Sequence, residues 1–107
     1  MKKVTVVRVN AGACRFKARI EVFKTGKYVF EAKIETDCPY IQKLQEDLTS
    51  FNLLEEMSNL YGVQIRDLAL KHILGSCVGC PVPSAILKAA QKDADFALAS
   101  NIDIVFE

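Results

Sequence analysis

From residue 16 to residue 35, apolar and polar side chains alternate with a period of two. Phe16, Ala18, Ile20 and Val22 share one side and Arg15, Lys17, Arg19 and Glu21 the other, the pattern of a half-buried strand. After Thr25-Gly26-Lys27 the alternation resumes, with Tyr28, Phe30, Ala32 and Ile34 facing in and Glu31, Lys33 and Glu35 facing out. The two apolar rows fall on one face only if the hairpin loop is odd in length. A loop of about three or five residues is therefore expected, with Gly26 at a positive φ. Val4 to Val9 is apolar on both faces apart from Thr5 and Arg8, which predicts a central strand. Asn10-Ala11-Gly12-Ala13-Cys14 is turn-rich and predicts a connection.

Beyond Pro39 the period changes to 3.6. Tyr40, Ile41, Leu44 and Leu48 form one helical stripe. Asn52 with Glu55 three residues on resembles a capping box, opening a second helix striped by Leu53, Leu54, Met57, Leu60 and Tyr61 and ended by Gly62. A third helix is expected from about Gln64 to Leu74, stopped at Gly75. The fourth is the longest, burying Ile86, Leu87, Ala90, Ala94, Ala97 and Leu98. Ile102, Ile104 and Phe106 alternate again and predict a short terminal strand added to the sheet. The fold class is α+β: a three- to four-stranded, mainly antiparallel sheet including a β-hairpin, with about four helices packed on one face. Residues 1–107 form a single domain.

Charge changes this picture little. Net charge is +1, yet residues 1–33 carry nine Lys or Arg against two acids (+7), and residues 34–107 carry five against eleven (−6). A basic hairpin folding against acidic helices is the expected account of the asymmetry, with a functional basic face for an acidic partner or RNA as the alternative. Aromatic residues are not interleaved with the basic ones as a base-stacking surface requires, so the expected partner is another protein rather than nucleic acid. No apolar run approaches the roughly 18 residues of a membrane span. The start resembles a secretory signal only briefly, because Thr5 interrupts and Arg8 stops it, so a cytoplasmic location is expected. The sequence leaves the oligomeric state open.

The chemistry lies in four cysteines, Cys14, Cys38, Cys77 and Cys80, spaced C-x23-C-x38-C-x2-C. None falls on an apolar helical stripe. Cys38-Pro39 and Cys80-Pro81 both predict helix entries, because proline favours the first helical position and pushes its predecessor out of the helical region. At such an entry the unpaired amides and the positive dipole end lower a thiol pKa. Gly75-Ser76-Cys77-Val78-Gly79-Cys80 has the glycines and spacing that let two thiolates face one ion. The main expectation is one four-thiolate site for a zinc ion or an iron–sulfur cluster, in a scaffold or carrier. Two alternatives stand beside it. One is sulfur-carrier or thiol redox chemistry with Cys38 or Cys80 as nucleophile. The other is a structural zinc domain that binds a protein or RNA partner. His72, the one histidine, reads as a surface or satisfied core side chain. No Ser-His-Asp arrangement, paired acids, Walker loop or G-x-G-x-x-G occurs, so an enzyme is disfavoured.

Three stretches carry a resemblance over nearly the whole chain. Asn10–Cys14, Asp37-Cys38-Pro39 and Cys77-Val78-Gly79-Cys80-Pro81-Val82-Pro83-Ser84-Ala85-Ile86-Leu87-Lys88-Ala89 resemble a family of short prokaryotic proteins of unassigned function. In layout the chain is also similar to the U-type iron–sulfur cluster assembly scaffolds. That likeness implies cluster ligation by Cys14, Cys38 and either Cys77 or Cys80. Arg15 and Phe16 stand where those scaffolds have Gly and Asp, and Asp37-Cys38-Pro39 where they have Gly-Cys-Gly. Cys80-Pro81-Val82-Pro83 resembles the helix start of small sulfur-carrier proteins, in which it follows the first strand.

Overall fold

The computed structural model describes residues 3–75 and 77–107. Alternation in the first third of the chain produces three strands: β1 (Val4–Asn10), β2 (Lys17–Gly26) and β3 (Val29–Thr36). Between β1 and β2 lies a 3₁₀ turn, Gly12–Cys14. Helix α1 (Pro39–Asp47) follows, then a two-residue strand β4 (Phe51–Asn52), the one-turn helix α2 (Leu53–Glu56), α3 (Gln64–His72) and α4 (Val82–Asp93). The sheet is antiparallel throughout, in the order β1-β2-β3-β4. The α+β class therefore holds. Among the described residues no helix is long and apolar enough to cross a membrane.

The inner face of the sheet carries Ala18, Ile20, Val22, Phe30 and Ala32, all buried. Helix α4 lies across β1 and β2, and α1 covers β3. Ile86, Ala89 and Ala90 of α4 and Ile41 and Leu44 of α1 complete the core with Phe51, Leu53, Ile65 and Val82. The end of α4 is fixed to the start of β1. Thr5 Oγ1 donates to Asp93 Oδ1 at 2.8 Å inside the core, and Lys3 Nζ donates to the Asp93 carbonyl at 3.0 Å. Lys3 also pairs with Asp95, the one ion pair among the described residues that joins the basic N-terminal third to the acidic remainder.

Four expectations are corrected. β1 is an edge strand, not a central one, so Val4 and Val6 are 46% and 44% exposed on the outer face while Thr5 is buried. The hairpin turn is the pair Lys27-Tyr28, and parity is kept by a bulge between Lys24 and Gly26. Tyr28, at φ 60°, takes the left-handed position assigned to Gly26. The alternating segment Ile102–Phe106 forms no strand, and the fourth strand is Phe51–Asn52 instead. Finally, α4 ends at Asp93, so Leu98 lies beyond it and is exposed.

The second helix stops after one turn, and the reason is a buried carboxylate. Asn52 caps it as expected, its side chain accepting from the Glu55 amide at 3.1 Å. Glu56, only 2% exposed, then accepts from the amides of Val63, Gln64 and Ile65 at 3.1, 3.0 and 2.9 Å. It thereby satisfies the free N–H groups of α3 from outside that helix. Reaching them requires the chain to reverse at Tyr61 and Gly62, both at positive φ. A Cβ at Gly62 would stand 2.9 Å from Glu56 Oε1, so only glycine fits. The rest of the expected stripe is left outside: Leu54, Met57, Leu60 and Tyr61 are exposed. Helix α3 likewise ends at His72, two residues short of Leu74, and is tied to α1 there. Asp47 Oδ2 meets His72 Nε2 at 2.6 Å and Lys71 Nζ at 3.1 Å.

Two outcomes follow from these contacts. Glu56→Ala leaves three N–H donors unpaired in a closed setting and should cost about 3 kcal/mol, read as a lower denaturant midpoint at unchanged slope, with Glu56→Gln recovering part. Asp47 is held below the ordinary carboxylate range, first by the His72 hydrogen bond and then by Lys71. A folded pKa below the unfolded one gives stability that is present above the unfolded value and lost as pH falls through the folded one. Asp47→Asn should therefore lower the melting temperature near neutral pH and flatten its decline below roughly pH 4.

Candidate thiolate site

Sheet register and helix placement decide where the cysteines go. Asn10 pairs with Lys17 and Ala18 with Thr36, so the end of β1, the start of β2 and the end of β3 share one end of the sheet. Cys14 follows β1 there and Cys38 follows β3. Helix α4 has its last residue at the opposite end, held by Thr5, and spans about 18 Å against about 23 Å for β1. Its first turn, with Cys77 and Cys80 just before it, thus returns to the cysteine end.

Local chemistry holds each sulfur. Cys14 closes the 3₁₀ turn and is exposed. The turn is locked by the Arg15 amide on the Gly12 carbonyl at 2.8 Å and by the Ala11 amide on the Phe16 carbonyl at 3.1 Å. Cys38 is the N-cap of α1 with Pro39 at the first helical position, as expected. Its backbone carbonyl accepts from Gln42 at 2.9 Å, while its amide donates to Thr36 Oγ1 at 3.2 Å; Thr36 Oγ1 in turn donates to the Lys17 carbonyl. Its sulfur makes no capping hydrogen bond and packs half-buried against the core. The Cys80 amide donates to the Cys77 carbonyl at 3.1 Å, making Cys77-Val78-Gly79-Cys80 a β-turn. The α-carbons of the two cysteines therefore lie within about 7 Å. Cys80 precedes the N-cap Pro81, and its sulfur accepts from the Val82 amide at the head of α4.

Cys80 corrects one expectation. Its thiol is pushed up from the ordinary value, not down. Burial is the largest cause, and the Val82 amide offsets only part of it. Charge on Cys38, Cys77 or Cys14, where they ionise, raises it a little further. All four thiols are free. Among the described residues no three or more His, Cys, Asp or Glu side chains stand as they could hold a metal ion. Topology brings the sulfurs to one end of the sheet, and coordination would require them to close on one another. Ser76 lies outside the described residues.

A family model described as a family of unknown function, DUF6951, matches residues 5–106. The chain belongs to that family. No curated protein and no solved structure matches it.

Membership in DUF6951 leaves the chemistry to the residues, and two features here had no sequence signal of their own. An open depression of about 840 Å³ lies on the flank of the cysteine end, lined by Arg15, Phe16, Lys17, Thr36, Asp37 and Gln42 among others. No cysteine lines it. His72, whose placement the sequence left between surface and core, is engaged by Asp47 rather than by the cysteines.

The coupling at Cys80 can be measured. Its alkylation, resolved by peptide mass spectrometry, should rise with pH at a value above that of a free thiol. Cys38→Ser should shift the profile downward, since one neighbouring thiolate is gone. A profile unchanged by that substitution would show that the two sulfurs do not interact.

Proposed function

We propose that this protein binds a metal ion or an iron–sulfur cluster through Cys14, Cys38, Cys77 and Cys80, as a small carrier or scaffold in a reducing compartment. The observation that supports the reading is the gathering of four free thiols from three separate places in the chain around Cys80, whose proton is held by burial and by the other three. A bound cation removes that repulsion and neutralises the half-buried charge at once. The two-residue turn joining Cys77 to Cys80 is of the kind that presents paired thiolates to one ion. The order of ligands, after a first strand, at a helix start after the third strand and before a late helix, is also that of the U-type scaffolds. The partner on this reading is another protein that delivers or receives the metal.

The sulfur-nucleophile alternative is less supported at Cys80, because a thiol pushed upward is a poor source of thiolate near neutral pH. It stays open at Cys38.

Protein purified without oxygen should contain stoichiometric zinc, or iron with absorbance near 400 nm. A strong chelator under reducing conditions should lower its melting temperature by more than about 10 °C, because binding energy is folding energy. The shift should be far smaller in Cys38→Ser. A metal-free protein whose melting point ignores both chelator and added zinc would refute the site. An activity abolished by one cysteine replacement alone, with the melting point unchanged, would favour the nucleophile.

A further inference from the structure

Among the described residues, Ile102–Phe106 carries a strand pattern without a strand, and β1 is a sheet edge with no strand on its outer side. β1 is outermost, and its register with β2 runs unbroken from Val4 to Asn10 with no bulge. Long, flat edges are ordinarily shortened, bulged or covered, because their free N–H and C=O groups invite another strand. Here Val4 and Val6 add exposed apolar surface beside that edge. Meanwhile Ile102, Ile104 and Phe106 alternate along a segment that pairs with no strand among the described residues, at 59%, 81% and 95% exposure.

Charge selects between the possible neighbours of β1. Residues 3–10 hold Lys3 and Arg8 and no acid, whereas residues 101–107 hold Asp103 and Glu107 and no base. Pairing β1 with a second β1 would set like charges against each other. Pairing it with the acidic segment sets opposite charges across the ladder, each such pair contributing a few tenths of a kcal/mol or more. The segment does not lie on its own chain's β1 in this structure, yet residues 94–101 can span up to about 28 Å beyond α4, enough to reach another copy.

We infer that Ile102–Phe106 of one chain pairs as a strand with the open edge of β1 in a second copy, so that two chains exchange these segments in a symmetric dimer. The exchange is reciprocal because each chain carries both the edge and the segment, as a two-fold interface requires. It extends each sheet to five strands and covers Val4 and Val6. This assembly does not depend on the thiolate site, which lies at the end of the chain's first and third strands.

The test is sedimentation equilibrium of the full chain under reducing conditions, which keep the exposed Cys14 from cross-linking copies, together with amide hydrogen exchange. A monomer–dimer equilibrium is expected. Ile104→Asp with Phe106→Asp should weaken it by more than about tenfold, while leaving the monomer folded, since neither side chain is in the core. Amides of residues 102–106 and of β1 should gain protection together as concentration rises. A wild-type protein that stays monomeric throughout, a dimer indifferent to the double substitution, or protection of residues 102–106 that does not vary with concentration would each overturn the exchange. The last result would mean that the segment folds onto its own β1.

Discussion

Everything at the cysteine end depends on how α4 is laid across the sheet. The helix offers Ile86, Ala89 and Ala90 to Ala18, Ile20 and Val22, a contact of small against branched side chains that lets helix and sheet approach closely. Apolar contact alone would permit the helix to slide or reverse. The buried hydrogen bond from Thr5 to Asp93 does not, because either group left without the other would be a polar atom stranded in the core. With that end fixed, the first turn of α4 must fall where β1 and β3 finish, and Cys80 is delivered to Cys38 from 42 residues away in sequence.

The same logic sets the helical half. Glu56 satisfies three amides of α3 that no neighbour in sequence can reach, and the demand for that geometry ends α2, forces the reversal at Tyr61-Gly62 and leaves Leu60 in solvent. A carboxylate buried on three N–H groups is strongly directional, so it determines the path of the chain more tightly than the apolar stripe around it. Asp47 acts on a smaller scale, joining the ends of α1 and α3 through Lys71 and His72 near the surface, where water screens the attraction.

These cases explain what could be read from the sequence and what could not. The β2–β3 pairing was legible because alternation is a local property, and Cys38-Pro39 marked a helix start because proline restricts its own neighbourhood. The length of α2 was not legible, since Leu54, Met57, Leu60 and Tyr61 keep helical spacing although a contact eight residues on overrules it. The place of β1 was misread for a related reason: apolar residues on both faces signal two covered faces, but Val4 and Val6 stay nearly half exposed here. Gly26 and Tyr28 exchanged roles because parity can be kept by a bulge as well as by an odd loop. Convergence of the cysteines in sequence order could be suspected, whereas their charge state could not. Proline and the helix dipole argued for a low pKa at Cys80, and burial, which spacing does not reveal, outweighed them.

That reversal bears on what the site can do. A sulfur at a helix entry that is also half-buried and raised further by charge on the other cysteines is not activated as an isolated nucleophile. Removing its proton places a charge in a poor solvent beside like charges, so the thiolate form becomes favourable only when something positive arrives to share it. On the proposed reading, proton release and metal capture are therefore one event. Cys38 and Cys80 are anchored against the core, so the exposed Cys14 and the Cys77 turn are the parts that would have to move to complete a set. On the proposed reading, two ligands are anchored by the fold and the others stand on turns that must close on the ion. That division suits an ion or cluster that must be taken up and handed on rather than sealed in, because a ligand on a turn can let go without unfolding the core that holds the anchored two.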